Sequence, residues 1–342
     1  MKRKKTVAVL LLSLITLTAC QSESPTRSNV GSLDNLALPG SESPAATNTS
    51  SAKPVILEPS TPASSAPQIK SPRVSNTWAY EVKKAGAPTS YLVGTVHAPL
   101  ADNYAIPTVL IDKLSQSKAL YLETDVDAMD KIMTQVVSQV INTQQDLESL
   151  LGTESWSKLL ARFKELNISI QDKILRFFRP WYINILLSSI PNAEPVKLES
   201  IMDLQLRSKA LNGKIPLRYL ESPAEQISAL QAIGEEEYLR LIKQNLSEGV
   251  AQQVKDRDRI FAIYNSLNMA ELEKAVTEAQ AESQVYFENM VRLRNQKWLN
   301  LLKAELPTQS LVIAVGALHL AGPDGLVAQL KAQGFEVQPL AF

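Results

Sequence analysis

Two histidines are all that this chain of 342 residues carries, and both stand in one frame. His97 closes Gly94-Thr95-Val96-His97, and His319 closes Gly316-Ala317-Leu318-His319. With only 12 glycines in the chain, the shared frame points to a common use rather than coincidence. Glycine near a strand end lets a backbone or ligand approach closely. A residue just past the carboxyl end of a strand faces the crevice where open α/β sheets place their sites. Two imidazoles need a carboxylate to complete a site. Glu123 ends Tyr121-Leu122-Glu123, and Glu221 ends Tyr219-Leu220-Glu221 in the same way. Glu221 precedes a helix start, where the helix dipole alone would favour an acid. Glu123 has no such neighbour and is the preferred carboxylate, with Glu221 behind it.

Two histidines and one carboxylate form an open metal site, with coordination positions left for water and substrate. The expected ligands are His97, Glu123 and His319, with the general base as the other role for Glu123. The expected cofactor is a divalent metal ion, Zn²⁺, Mn²⁺, Co²⁺ or Fe²⁺. Such an ion lowers the pKa of bound water and polarises a carbonyl or phosphoryl group. There is no His-Glu-x-x-His helix, Gly-x-Ser-x-Gly elbow or Walker A loop. A Ser-His-Asp triad stays open, although no serine stands in a recognisable nucleophile setting.

The elements that must hold these residues are readable from periodicity. Trp78–Val82 and Ser90–Val96 read as a hairpin turning through Lys84–Pro88, and Lys118–Glu123 as a third strand. Met129, Ile132, Met133, Val136, Val137, Val140 and Ile141 make an amphipathic stripe. Further helices are expected near 154–166, 170–189 and 200–211. Ile215–Leu220 reads as a strand ending at Glu221. Ser222-Pro223-Ala224-Glu225 is a capping box with proline at the first helical position. Helices near 235–247, 250–267, 269–281 and 284–305 follow. Leu311–Val315 is a continuous apolar strand of the kind covered on both faces. Gly322-Pro323-Asp324-Gly325 then introduces a helix with Leu326 and Leu330 on one face, and Phe335–Val337 returns as a strand. That end is a βαβ unit. The fold class expected is α+β, a mixed central sheet with a long helical insertion.

The N-terminus carries an address. Lys2, Arg3, Lys4 and Lys5 precede an apolar run from Val7 to Ala19, a signal peptide too short to span a membrane as a helix. The run ends Leu17-Thr18-Ala19-Cys20, which resembles a bacterial lipobox; the other reading is a plain signal peptide with an incidental cysteine. Cys20 is the single cysteine of the chain, which excludes a disulfide framework, a four-cysteine zinc site and an iron–sulfur cluster. Cleavage before Cys20 with lipidation there, palmitate included, makes a lipoprotein anchored to the membrane rather than threaded through it. Gln21 in the next position is compatible with outer-membrane sorting, facing the periplasm or the exterior. Residues 20–76, rich in Ser, Pro and Thr, read as a disordered tether, leaving 77–342 as one folded domain. The whole chain balances 35 basic against 35 acidic side chains, and removing the four N-terminal basic residues leaves 31 against 35. A nucleic-acid partner, which needs a basic surplus, is excluded.

Taken in order, Tyr91-Leu-Val-Gly-Thr-Val-His97, Leu122-Glu123 and Val315-Gly-Ala-Leu-His-Leu-Ala-Gly-Pro-Asp-Gly-Leu326 resemble the TraB/PrgY/GumN family, to which the animal Tiki metalloproteases are related. Pro180-Trp181, Met202-Asp203, Leu220-Glu221 with Gln226, and Arg294-Asn295 with Trp298 match between them, so the resemblance spans 76–342. It implies a fold of the erythromycin-esterase and ChaN-like group. It also implies an active site of the paired Gly-x-x-His motifs and a glutamate, here His97, Glu123 and His319, with glycines Gly94, Gly316, Gly322 and Gly325. The Arg-Asn element falls on Arg294 and Asn295, expected to be catalytic; Asp203, Glu221 and Gln226 form a second rank. The function expected is a lipid-anchored, metal-dependent hydrolase, a peptidase being one form, acting on a peptide or small molecule in the bacterial cell envelope. The alternatives are a binding or signal-sequestering lipoprotein without turnover and a structural envelope partner.

Overall fold

The apolar runs that punctuate the sequence become the strands of one sheet, and the longer 3.6-periodic segments become helices around it. The computed structural model describes residues 78–97, 104–125, 137–188 and 201–340. The signal peptide, Cys20 and the tether, and most of the Met129–Ile141 stripe, lie outside the described residues, although Val137–Val140 is helical.

In chain order the elements begin with β1 (Trp78–Lys83), β2 (Ser90–Thr95), α1 (Thr108–Gln116) and β3 (Ala119–Leu122). The helical insertion follows with α2 (Thr153–Glu165), α3 (Pro180–Ser188) and α4 (Met202–Asn212). Then come β4 (Leu217–Tyr219), α5 (Pro223–Gln231), α6 (Glu235–Ser247), α7 (Val250–Ser266) and α8 (Met269–Glu282). The chain closes with α9 (Leu293–Glu305), β5 (Leu311–Gly316), α10 (Leu326–Ala332) and β6 (Glu336–Pro339).

The sheet has the order β4-β3-β5-β2-β1-β6. β4, β3, β5 and β2 run parallel to one another, and β1 pairs antiparallel with both β2 and β6. This is the mixed sheet of an α+β fold. β2 and β3 are buried along their whole length and β5 along all but its last residue. That burial matches their unbroken apolar sequences, because parallel strands are covered on both faces. The C-terminal strand–helix–strand unit is present, but β5 and β6 are not neighbours: β2 and β1 lie between them. No helix among the described residues is long and apolar enough to cross a membrane.

Two expected helices differ from their periodicity. The segment 170–189 divides into Asp172–Leu175 and α3, because the chain turns aside between them. Ile141 bridges Phe178 there, and the Arg179 N–H donates to the Val140 carbonyl at 2.7 Å, an engagement outside any helix. The segment 284–305 is helical throughout but carries a π-helical stretch, Glu288–Arg292, ahead of α9. One extra residue in a turn rotates everything after it, a device common at functional sites. Here it sets the phase of Arg294 and Asn295, in the first turn of α9.

The two motif glycines serve different ends. A Cβ on Gly94 would fall 2.6 Å from Leu320 Cδ1 and 2.9 Å from Trp78 Cβ. Gly94 is therefore the floor on which the segment after β5 packs. Gly325 is tighter still, since a Cβ there would meet the Leu320 carbonyl oxygen at 2.3 Å. Gly322 has a φ of +76°, a left-handed backbone that glycine adopts without strain. Gly316 has an ordinary backbone and a different role, taken up with the site.

Candidate active site

The strand order converts four separate motifs into one row. β4, β3, β5 and β2 are consecutive and parallel, so Glu221, Glu123, His319 and His97 all stand just past the carboxyl ends of adjacent strands. The Glu221 N–H donates to the Glu123 carbonyl at 3.0 Å, extending the β3–β4 pairing to the two glutamates. This is the edge at which α/β sheets carry their sites.

Each imidazole is held by its Nδ1. His97 Nδ1 lies 3.2 Å from Asp203 Oδ2, an ion-pair contact rather than a well-aligned hydrogen bond, while Thr95 Oγ1 donates to Asp203 Oδ1 at 2.8 Å. Asp203 reaches the site from the first turn of α4. His319 Nδ1 lies 2.7 Å from Asn295 Oδ1. The Asn295 amide nitrogen donates to the carbonyls of His319 and Asp324, at 3.1 and 2.8 Å, which fixes Oδ1 as the acceptor. His319 therefore carries its proton on Nδ1 and presents a lone pair at Nε2.

Both Nε2 atoms turn toward Glu123. Glu123 Oε1 lies 3.3 Å from His97 Nε2 and 3.9 Å from His319 Nε2, and it accepts from the Gly316 N–H at 2.7 Å. Its second oxygen accepts from Arg294 Nη2 at 2.7 Å. Arg294 is shared with Glu221, donating through Nη2 at 2.6 Å and Nε at 3.0 Å. Nη1 donates to the Met290 carbonyl at 3.0 Å and stands 3.3 Å from His319 Nε2. The guanidinium lies over Trp298, 4.6 Å from the ring centre, and His319 packs on the same ring at 4.6 Å.

Burial and pairing set the charges. Burial opposes a charged His97, but Asp203 and Glu123 outweigh it and push the imidazole up to about 10. His319, 1% exposed, is driven down to about 3 by burial, with Arg294 and His97 acting in the same direction, and stays neutral. Burial raises the Glu123 carboxyl, yet Arg294, His97 and His319 hold it well below the usual carboxylate range. Two like groups separated in this way, one charged and one neutral, mark an acid–base site.

The arrangement can be tested against a divalent cation. Metal-bound histidines hand their second ring N–H to a carboxylate, amide or carbonyl, and ligating carboxylates are themselves hydrogen-bonded. Asp203, Asn295 and Arg294 are those partners for His97, His319 and Glu123. Two ligands of one ion at about 2.1 Å stand roughly 3.3–3.5 Å apart, close to the His97–Glu123 separation of 3.3 Å. Among the described residues no group of three or more such side chains is arranged to hold a metal ion; His319 Nε2 stands nearer Arg294 Nη1, at 3.3 Å, than Glu123 Oε1, at 3.9 Å. Glu221 shares the guanidinium with Glu123, so these three side chains together keep one negative charge for a cation. A Cβ on Gly316 would lie 3.1 Å from His97 Nε2 and 3.4 Å from Glu123 Oε1. Glycine there keeps a methyl group off both donors. The donor set fits.

Of the residues expected from sequence, His97, Glu123, His319, Arg294, Asn295, Glu221, Asp203 and Gly316 meet here. Gln226 does not join them; it is buried on α5 with neither amide atom hydrogen-bonded. Sequence reasoning left Asp203 in the second rank, although it supports His97 directly, and gave Trp298 no task. The signal for Trp298 was its position four residues after Arg294 and three after Asn295, on the same helical face.

A model of the TraB/PrgY/gumN family matches residues 78–339. A protein of Shigella flexneri and one of Escherichia coli strain K12, both described as uncharacterized protein YbaP, are each 26% identical over 259 residues. The match covers 75% of this chain and 93% of each relative.

Proposed function

The chain belongs to the TraB/PrgY/gumN family, and from that membership we propose that it is a metal-dependent hydrolase of the bacterial cell envelope, cleaving a peptide or another carbonyl substrate. The observation that carries this reading is the orientation of three donors, His97 Nε2, His319 Nε2 and Glu123 Oε1. Each is turned inward by a partner behind it, Asp203, Asn295 and Arg294.

A divalent cation bound there supplies a water of lowered pKa and polarises the scissile carbonyl. The protein does the rest. Asp203 and Asn295 fix the ring planes, Arg294 fixes the carboxylate, and Trp298 packs against both His319 and Arg294. Loading such a site requires His97 to give up its proton, since metal ligands are deprotonated. Gly316 keeps the donors open on the side from which a reacting group arrives, and Glu123 is placed to take up a proton from water or to remain a ligand.

Metal analysis of the purified chain is expected to find close to one ion per molecule, with hydrolysis of a peptide and ester panel abolished by chelator. His97→Ala and His319→Ala are expected to lose the ion. Full retention by both variants rules out the metal centre; a stoichiometric ion without turnover leaves a binding protein instead.

Export and anchoring belong to the same proposal, supported by the Leu17-Thr18-Ala19-Cys20 run. Cells given labelled palmitate are expected to label the wild type and not Cys20→Ser; equal labelling would refute an anchor at Cys20.

A further inference from the structure

One wall beside the two histidines comes from helices that follow β4. A pocket of about 540 Å³, taken out to its open mouth, reaches from His97, Gly316 and His319 to α7 and α8. Ile260 and Ile263 line it from α7, Leu272 and Ala275 from α8, and Leu318 from beside the second histidine. Two hydroxyl-bearing residues also line it, and both hydroxyls are engaged elsewhere. Thr95 Oγ1 donates to Asp203 and Tyr264 OH donates to the Gly94 carbonyl at 2.9 Å. The imidazoles are thus the polar side chains that the pocket offers, both at one end.

From this we infer that the pocket is a specificity subsite, selecting substrates that carry an uncharged apolar side chain or acyl branch next to the cleaved carbonyl. A branched aliphatic group finds carbon on every side and loses no hydrogen bond on entry. An ammonium group would surrender its hydration among lining residues that include no carboxylate, and a carboxylate could pair only at His97, away from the apolar wall, so a charged group seated among the aliphatic residues meets a far larger penalty. His97, Gly316 and His319 all line the pocket, so a group seated in it lies against two of the three donor residues. This inference rests on the metal-hydrolase reading and names the class of substrate for it.

Hydroxamates test it without turnover, because the hydroxamate chelates the ion while the side chain probes the pocket. The full chain loaded with Zn²⁺ is titrated calorimetrically with the hydroxamates of N-acetylglycine, N-acetylleucine, N-acetyllysine and N-acetylaspartate. The leucine compound is expected to bind at least about tenfold tighter than the glycine compound, and the two charged ones no tighter than glycine. Ala275→Phe, or Ala275→Leu if the larger residue lowers the melting temperature, should erase the leucine advantage and leave glycine affinity unchanged. Equal affinity for all four overturns the subsite while leaving the metal centre intact. Failure of all four to bind overturns the metal reading, and the subsite with it.

Discussion

Arg294→Met is expected to lower folding stability by about 3–5 kcal/mol, the usual cost of removing one partner from a buried ion pair. Arg294 is 3% exposed, and its guanidinium is shared by Glu123 and Glu221, 4% and 5% exposed. Burial alone would lower its pKa, yet the two glutamates raise it, so the cation is firmly held. Methionine roughly replaces the volume but leaves Glu221 buried without a counter-charge and Glu123 with only His97 beside it. The triple variant Arg294→Met/Glu123→Gln/Glu221→Gln removes those charges as well and should recover a substantial part of the loss. Urea midpoints of the wild type and the two variants measure this. A single variant within about 1 kcal/mol of wild type would mean that water or a proton already compensates the glutamates. The same guanidinium lies on Trp298, so tryptophan emission is a second readout of the lost contact.

The metal-free protein is expected to lose stability steeply in mild acid, for a reason that can be assigned to one ring. His319 titrates near 6.5 when unfolded and at about 3 when folded. Between those values the unfolded chain binds a proton that the folded chain refuses. Stability then falls by up to about 1.4 kcal/mol per pH unit, roughly 3 kcal/mol from pH 6.5 to pH 4. Glu123 acts in the same direction: its folded pKa is depressed, so its contribution is present above the ordinary carboxylate range and fades as the pH falls through the lower folded value. His97 has the opposite sign and a different window. Its folded pKa of about 10 gives a contribution fully present below 6.5 and lost as the pH rises toward 10. Stability should therefore be greatest near pH 6.5 and decline on both sides. Urea titrations of the chelator-treated chain at pH 7 and 4.5 check it, with His319→Gln expected to flatten the acid limb. An unchanged acid slope in that variant would show that the imidazole is not the group responsible.

How much of this was legible in the sequence follows from which interactions are local. The hairpin, the apolar run of β5 and the capping box at Ser222 rest on neighbouring residues, and each appears where its pattern stands. The site candidates were legible for a related reason: a Gly-x-x-His or a Tyr-Leu-Glu at the end of an apolar run announces its place at a strand terminus. The π-helical stretch at Glu288–Arg292 was not legible, because an amphipathic period reads the same whether or not one turn holds an extra residue.

The sequence by itself determined that four chemical groups, His97, Glu123, Glu221 and His319, stand at carboxyl ends of strands. It did so because strand length, apolar content and the residue after the last strand position are written consecutively. Tertiary structure decided that these strands are neighbours in the order β4-β3-β5-β2, which alone gathers the groups into one site. It also decided their partners: Asp203 supports a histidine 106 positions earlier, and Arg294 pairs with a glutamate at |i−j| = 171. Contacts over such separations depend on which faces pack together, and on the burial that then sets each proton affinity. Neither quantity exists in the chain until the sheet has closed.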